Sequence, residues 1–198
     1  MVSSTLSLEL SSQRPSRGVW LVVGVQGSGK TTIADGLANR FDRGVHIRGG
    51  QFYRWAIRGW VQHDDIDQVE AARHLQLRYK LSAMAADQYC AAGFVTVVQD
   101  NIYGDDVVGW LNMVASRPRH LVVLRPSTDV VAQRDAHRHA RTGKVAYRPG
   151  AASIRDLDEK LATTPRLGLW LDNSRLSVDE TIEEILRREF EARVHLAS

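Results

Sequence analysis

At 198 residues the chain is long enough for one well-buried domain and short for two. Apolar residues at 43% and charged residues at 25% are ordinary for a soluble globular protein, and no apolar run approaches the ~20 residues of a membrane span. The net charge of +3 suits anionic small ligands and does not by itself indicate nucleic acid, so neither a nucleic-acid nor a membrane partner is expected.

Residues 1–17 are rich in serine, lack an early basic cluster and hold only a broken apolar stretch. They read as a disordered tail rather than a secretory signal, with 18–198 as one domain. Val19 to Val23 then reads as a buried strand. Directly after it comes Gly24-Val25-Gln26-Gly27-Ser28-Gly29-Lys30-Thr31, the Gly-x4-Gly-Lys-Thr spacing of a phosphate-binding loop. A helical pattern from Thr31 to Phe41 follows, with Ile33, Leu37 and Phe41 on one face. Glycines let successive backbone N–H groups point at one anion, and the new helix adds its positive end. Gly24, Gln26, Gly27, Ser28, Gly29, Lys30, Thr31 and Thr32 are therefore the expected nucleotide contacts. Lys30 would reach the β- and γ-phosphates, and the Thr31 hydroxyl would take a place on Mg²⁺. The loop predicts a nucleoside triphosphate ligand.

Strands and helices alternate through the rest of the chain, which predicts an α/β fold with a parallel sheet and helices on both faces. Gly44 to Arg48 reads as the second strand, and Gln51 to Gly59 as a short helix. Val61 to Ile66 is a polar connection. Asp67 can cap a long helix to about Ala92, with an apolar stripe of Val69, Ala72, Leu75, Tyr79, Ala83 and Ala86. Cys90 falls in this helix, so neither a disulfide framework nor a thiolate metal cluster is expected; a buried thiol in a reducing, cytoplasmic setting is. Phe94 to Val98 is the third strand, Asp105 to Ala115 a weaker helix, and His120 to Leu124 the fourth strand. Ser127 can cap a basic helix to about Thr142. Gly143 to Ala152 has no periodicity and reads as a mobile loop. Ser153 to Leu161 is a short helix, Gly168 to Asp172 the fifth strand, and Ser177 with Glu180 a capping box for a last helix to about Glu191.

Three constellations could carry chemistry. Asp100 follows the third strand at the sheet edge where ligands bind, so it could orient Mg²⁺ or accept a proton from a hydroxyl; it could also be a simple turn residue. Arg134, Arg138 and Arg141 share one helix face. Beside Lys144 and Arg148 they read as a lid that stabilises a transferring phosphoryl group, Arg134 and Arg138 foremost, with a solvated basic face as the alternative. The segment Arg48 to Trp60 is aromatic and basic, and Arg48, Phe52, Tyr53 and Trp55 are candidate contacts for an organic acceptor with ring surface; Phe52 and Trp55 could equally be core.

With loop, acid and lid placed, the chain resembles the small-molecule kinases of the P-loop class, and most of all the chloramphenicol phosphotransferase-like and tunicamycin-resistance-like proteins. It is more distantly similar to the shikimate, gluconate and adenylate kinases. The resemblance rests on Gly24 to Thr31, the strand ending at Gln99-Asp100, the arginines from Arg134 to Arg141, and Leu171-Asp172-Asn173-Ser174. It implies a five-stranded parallel sheet in the order 2-3-1-4-5, ATP as donor, Mg²⁺ as cofactor and a small-molecule acceptor. It also implies that Asn173, Ser174 and Leu176, with a lid arginine, flank the adenine. Such relatives usually carry an acid just after the second strand; here that place reads Arg48-Gly49-Gly50. Either Asp100 takes over as base, or the acceptor is held differently, or ATP is bound without being used.

Overall fold

The computed structural model describes residues 18–61, 67–143, 147 and 152–196. The expected tail, the connection 62–66 and most of the expected lid loop lie outside these residues. Five strands, β1 (Val19–Gly24), β2 (Gly44–Arg48), β3 (Val95–Gln99), β4 (Arg119–Leu124) and β5 (Leu169–Leu171), pair in parallel in the order β2-β3-β1-β4-β5. This is the fold of the P-loop NTPase kinases, and it matches the sheet that the resemblance implied.

β1 is central and wholly buried, so both of its faces must be apolar. Val19, Leu21 and Val23 join one core with α3 (Gln68–Ala91), α4 (Asp106–Met113), α5 (Thr128–Thr142) and α6 (Ile154–Ala162). Trp20 and Val22 join the other with α1 (Lys30–Ala38), α7 (Val178–Arg187) and α8 (Glu189–Ala192). Truncating a fully buried residue such as Leu21 or Leu121 to alanine would cost about 2–5 kcal/mol.

The helix starts follow the capping residues. Asp67 accepts from the Glu70 N–H at 2.9 Å, and Ser127 accepts from the Val130 N–H at 3.4 Å. Ser177 and Glu180 form the expected capping box of α7, and Ser153 with Asp156 forms a second on α6 that the sequence reading did not single out.

Several boundaries differ from expectation. The first helix stops at Ala38, and Phe41 packs half-buried beyond it. The short helix α2 (Gln51–Trp55) does not reach Gly59, because Ala56 is extended and Gly59 has φ 76°. In α3 the buried face runs through Ala71, Tyr79, Ala83 and Ala86; Val69 and Ala72 lie off it and are exposed. Cys90 is only partly buried. The last helix breaks at Arg188 into α7 and α8.

Candidate active site

The loop between β1 and α1 is built on glycine. Gly24 has φ 150°, and a Cβ there would meet the Leu124 carbonyl oxygen at 2.4 Å and Ser28 Oγ at 2.7 Å. Gly29, at φ 97°, turns the chain into α1, so the helix N-terminus faces the loop. Two residues from β-strand ends and helices brace it: Arg134 donates to the Ser28 and Asn173 carbonyls at 3.2 and 2.9 Å, and Asn173 Nδ2 donates to Ser28 at 3.2 Å. The Tyr147 hydroxyl donates to the Gln26 carbonyl at 2.6 Å.

Lys30 is buried, 6% exposed, and its Nζ donates to the Val25 carbonyl at 2.7 Å. Burial pushes its ammonium down to about 7, partly opposed by the negative charge of Asp100. A triphosphate in the loop would supply the anion that restores the charged form. Thr31 Oγ1, the first hydroxyl of the helix, donates to Gln99 Oε1 at 3.0 Å.

Asp100 lies just past the end of β3 and is 3% exposed. Its Oδ1 accepts from Arg78 at 3.0 Å and from the Asn101 N–H at 2.7 Å; its Oδ2 is buried with no hydrogen-bond partner. Burial raises its pKa above the ordinary carboxylate range, against the pull of Arg78 and Lys30. Arg78 in turn lies over the Tyr53 ring at 4.4 Å.

The loop, Lys30 and Thr31 open on one cavity of about 690 Å³, while Asp100 and Arg78 are buried behind its wall, which Gln99 and Asn101 form on either side of Asp100 in the chain. Gln26, Gly27, Gly29, Lys30, Thr31 and Thr32 line one end, with Arg134, Arg138, Asn173, Leu176, Val178 and Thr181 around it. Arg54, Gln99 and Asn101 complete the wall. Four cations, Lys30, Arg54, Arg134 and Arg138, and no carboxylate contribute to this lining, as a polyanionic ligand requires. The Thr31 hydroxyl, in the cavity lining, is an oxygen donor of the kind magnesium takes, and phosphate oxygens would supply most of the rest; the unpartnered Asp100 oxygen is buried behind the wall, against Gly49, rather than in the lining. Among the described residues there is no cluster of three or more His, Cys, Asp or Glu side chains that would hold a metal by itself.

The structure divides the expected acceptor residues. Arg48, Phe52 and Trp55 line a second groove that shares no residue with the cleft, and only Tyr53 stands beside Arg78 and Asp100. The reason is helical phase. Positions 52 and 55 of α2 fall on one side, and positions 53 and 54 on the other. Arg141 is exposed and outside the cleft lining, Ser174 is engaged with Asp172 and the Ser127 N–H, and Lys144 and Arg148 lie outside the described residues.

Sequence reasoning missed Arg54, Arg78, Gln99 and Asn101. For Arg78 a signal existed: a charged residue beside Tyr79 on the apolar stripe of α3, 7% exposed once folded. A guanidinium there needs a buried counter-charge.

A family model described as an AAA domain matches residues 19–162. No curated protein matches the chain. Among solved structures, a sugar kinase from Janibacter sp. HTCC2649, unliganded, is similar at 23% identity over 90% of this chain and 96% of that one, with a TM-score of 0.61. The APS kinase from Mycobacterium tuberculosis, in complex with AMPPNP and APS, is similar at 16% identity over 87% and 97%, with a TM-score of 0.59. The tunicamycin resistance protein of Deinococcus radiodurans is similar at 15% identity over 91% and 100%, with a TM-score of 0.57. At these identities the likeness is one of fold.

Proposed function

The chain belongs to the AAA domain family, and from that premise we propose that it is an ATP-dependent phosphotransferase acting on a hydroxyl of a small organic molecule, in the range of an antibiotic or a nucleoside-like metabolite. The observation that carries this reading is the cavity that begins at the phosphate loop and is lined by Lys30, Arg54, Arg134 and Arg138, with the buried carboxylate of Asp100 close enough to Lys30 to act on its charge. The solved structures of similar fold include kinases of a sugar and of APS and a tunicamycin resistance protein, which supports a small acceptor rather than a macromolecule.

In this reading the backbone of Gly24 to Thr31 and Lys30 hold the triphosphate, and Arg134, Asn173 and Leu176 hold the base end. The acceptor oxygen attacks the γ-phosphorus, a new P–O bond forms, the bond to the β,γ-bridging oxygen breaks, and ADP leaves with that electron pair. The acceptor proton passes to Asp100, whose raised pKa suits a base. Arg138, in the cleft wall on the lid helix, offsets charge on the transferring group. Magnesium, held by Thr31 and the phosphates, would offset the charge of the triphosphate, which leaves the one unpartnered oxygen of Asp100 for the acceptor proton.

Mass spectrometry of a panel of hydroxyl compounds incubated with ATP and magnesium tests the proposal. A product heavier by one phosphoryl group, lost in Asp100→Asn, supports it. ATP binding without any such product across sugars, nucleosides and aminoglycoside or amphenicol antibiotics would favour a nucleotide-binding switch instead. That second reading draws on Gly49 and Gly50, where an acid would otherwise stand.

A further inference from the structure

The aromatic and basic segment after β2 is organised around a place of its own. A groove of about 710 Å³ runs between the outer edge of β2, α2 and the side of α3. β2 ends the sheet, so nothing else among the described strands closes this side. Trp55 is 71% exposed, Met84 54% and Tyr89 45%, and all three line this groove. The Trp55 ring meets buried Phe52 edge-on, centroids 4.9 Å apart. Single exposed apolar side chains need no explanation, but three that converge on one concavity do. The volume lies within the range of small-molecule sites.

The charges in the groove say what kind of molecule fits. Its carboxylate, Asp35, accepts from His46 Nδ1 at 3.1 Å, and burial keeps that imidazole neutral by lowering its pKa. Arg48 is exposed, and its side chain makes no hydrogen bond or ion pair with any described residue, so its guanidinium is free to take a ligand, whereas the Asp35 carboxylate is engaged by the His46 N–H. His46, with its side chain only 8% exposed, leaves Nε2 without a partner in the groove wall.

We propose that this groove, separate from the nucleotide cleft, binds an organic anion with an aromatic body. The rings of Trp55 and Phe52 and the thioether of Met84 receive the flat apolar part. Arg48 receives a carboxylate, sulfonate or phosphate head. A concave wall ending in one free guanidinium suits such a molecule better than a second copy of the chain, whose strand would pair with the flat edge of β2.

The test uses two probes of the same shape, 1-anilinonaphthalene-8-sulfonate and the neutral N-phenyl-1-naphthylamine, read by fluorescence. One molecule of each should bind per chain, with or without saturating AMPPNP and magnesium. Trp55→Ala should weaken both probes by about tenfold or more, and Arg48→Gln should weaken the sulfonate several-fold and leave the amine unchanged. Both side chains are exposed, so melting should not move; Arg48→Lys should recover part of the sulfonate affinity. Displacement by AMPPNP, wild-type affinity in Trp55→Ala, equal losses of both probes in Arg48→Gln, or no binding at all would each overturn the proposal. So would concentration-dependent dimerisation that Trp55→Ala abolishes, since the groove would then be an interface between copies.

Discussion

Gly49 lies against Asp100: a Cβ at position 49 would stand 2.0 Å from Oδ2 and 2.5 Å from Cγ of the aspartate. The ends of β2 and β3 therefore meet through a residue that can have no side chain. The register puts Arg48 beside Gln99, so the next residue of each strand faces the other across the active end of the sheet. An acid at position 49 would occupy the space of Asp100. Its absence there is a steric consequence of where Asp100 is.

Gly49→Ala should accordingly push Asp100 off Arg78. We expect a loss of about 1–3 kcal/mol in stability and of at least about tenfold in kcat, while Gly50→Ala, with open space around it, changes neither. Thermal melts and turnover of the two variants decide this. A Gly49→Ala protein indistinguishable from wild type would show that the contact is relaxed at no cost.

Asp100→Asn tests chemistry and structure together. It removes the proposed base, so kcat should fall by about 10²-fold or more. It also leaves Arg78, 7% exposed, without its counter-charge, which should cost several kcal/mol, on the order of 3–5. Adding Arg78→Met should then recover much of the stability and none of the rate. If the double variant is no more stable than Asp100→Asn, the ion pair does not hold this corner.

Lys30 is buried, and that decides what its removal does. Lys30→Met exchanges a desolvated amine for an apolar chain of similar length, so melting should stay level or rise. Affinity for an ATP analogue should fall by about two orders of magnitude, the loss of a charged contact worth roughly 3 kcal/mol. Calorimetry with AMPPNP reads the second effect. Unchanged affinity would remove the loop from the nucleotide site.

His120 gives a pH dependence far from the loop, at the start of β4. It is buried, stacks on Trp20 at 4.0 Å between centroids, and has Nε2 3.4 Å from Glu189 Oε1. Burial pushes its pKa down to about 4, against an ordinary 6.5 in the unfolded chain. Between those values the unfolded state holds more protons. Stability is thus full above about pH 6.5 and lost as pH falls towards 4, by up to roughly 3 kcal/mol. Urea melts at about pH 7 and pH 4.5 should show a smaller loss for His120→Phe than for wild type. Equal losses would place the acid sensitivity elsewhere.

What the sequence by itself determined is what neighbours in the chain decide. Eight consecutive residues from Gly24 to Thr31 carry the loop, because its backbone turns and its helix N-terminus need no distant partner. Ser127, Asp67 and Ser177 announce their helices for the same reason: a cap reaches only two or three residues along. β1, β3, β4 and β5 were legible as largely apolar runs, since strands of a parallel sheet covered by helices are buried on both faces, while the edge strand β2, with His46 and an exposed Arg48, was legible mainly from the glycines that bound it. The order of those strands came from likeness to known kinases, because no short stretch encodes which strand lies beside which. Only the tertiary structure decided that Arg78 reaches Asp100 from 22 residues earlier in the chain, and that Arg134 ties Ser28 to Asn173. It also decided that α2 turns Arg54 into the cleft and Trp55 away from it. One residue is about 100° of helix, and the phase of a five-residue helix is set by what packs on it rather than by its own pattern.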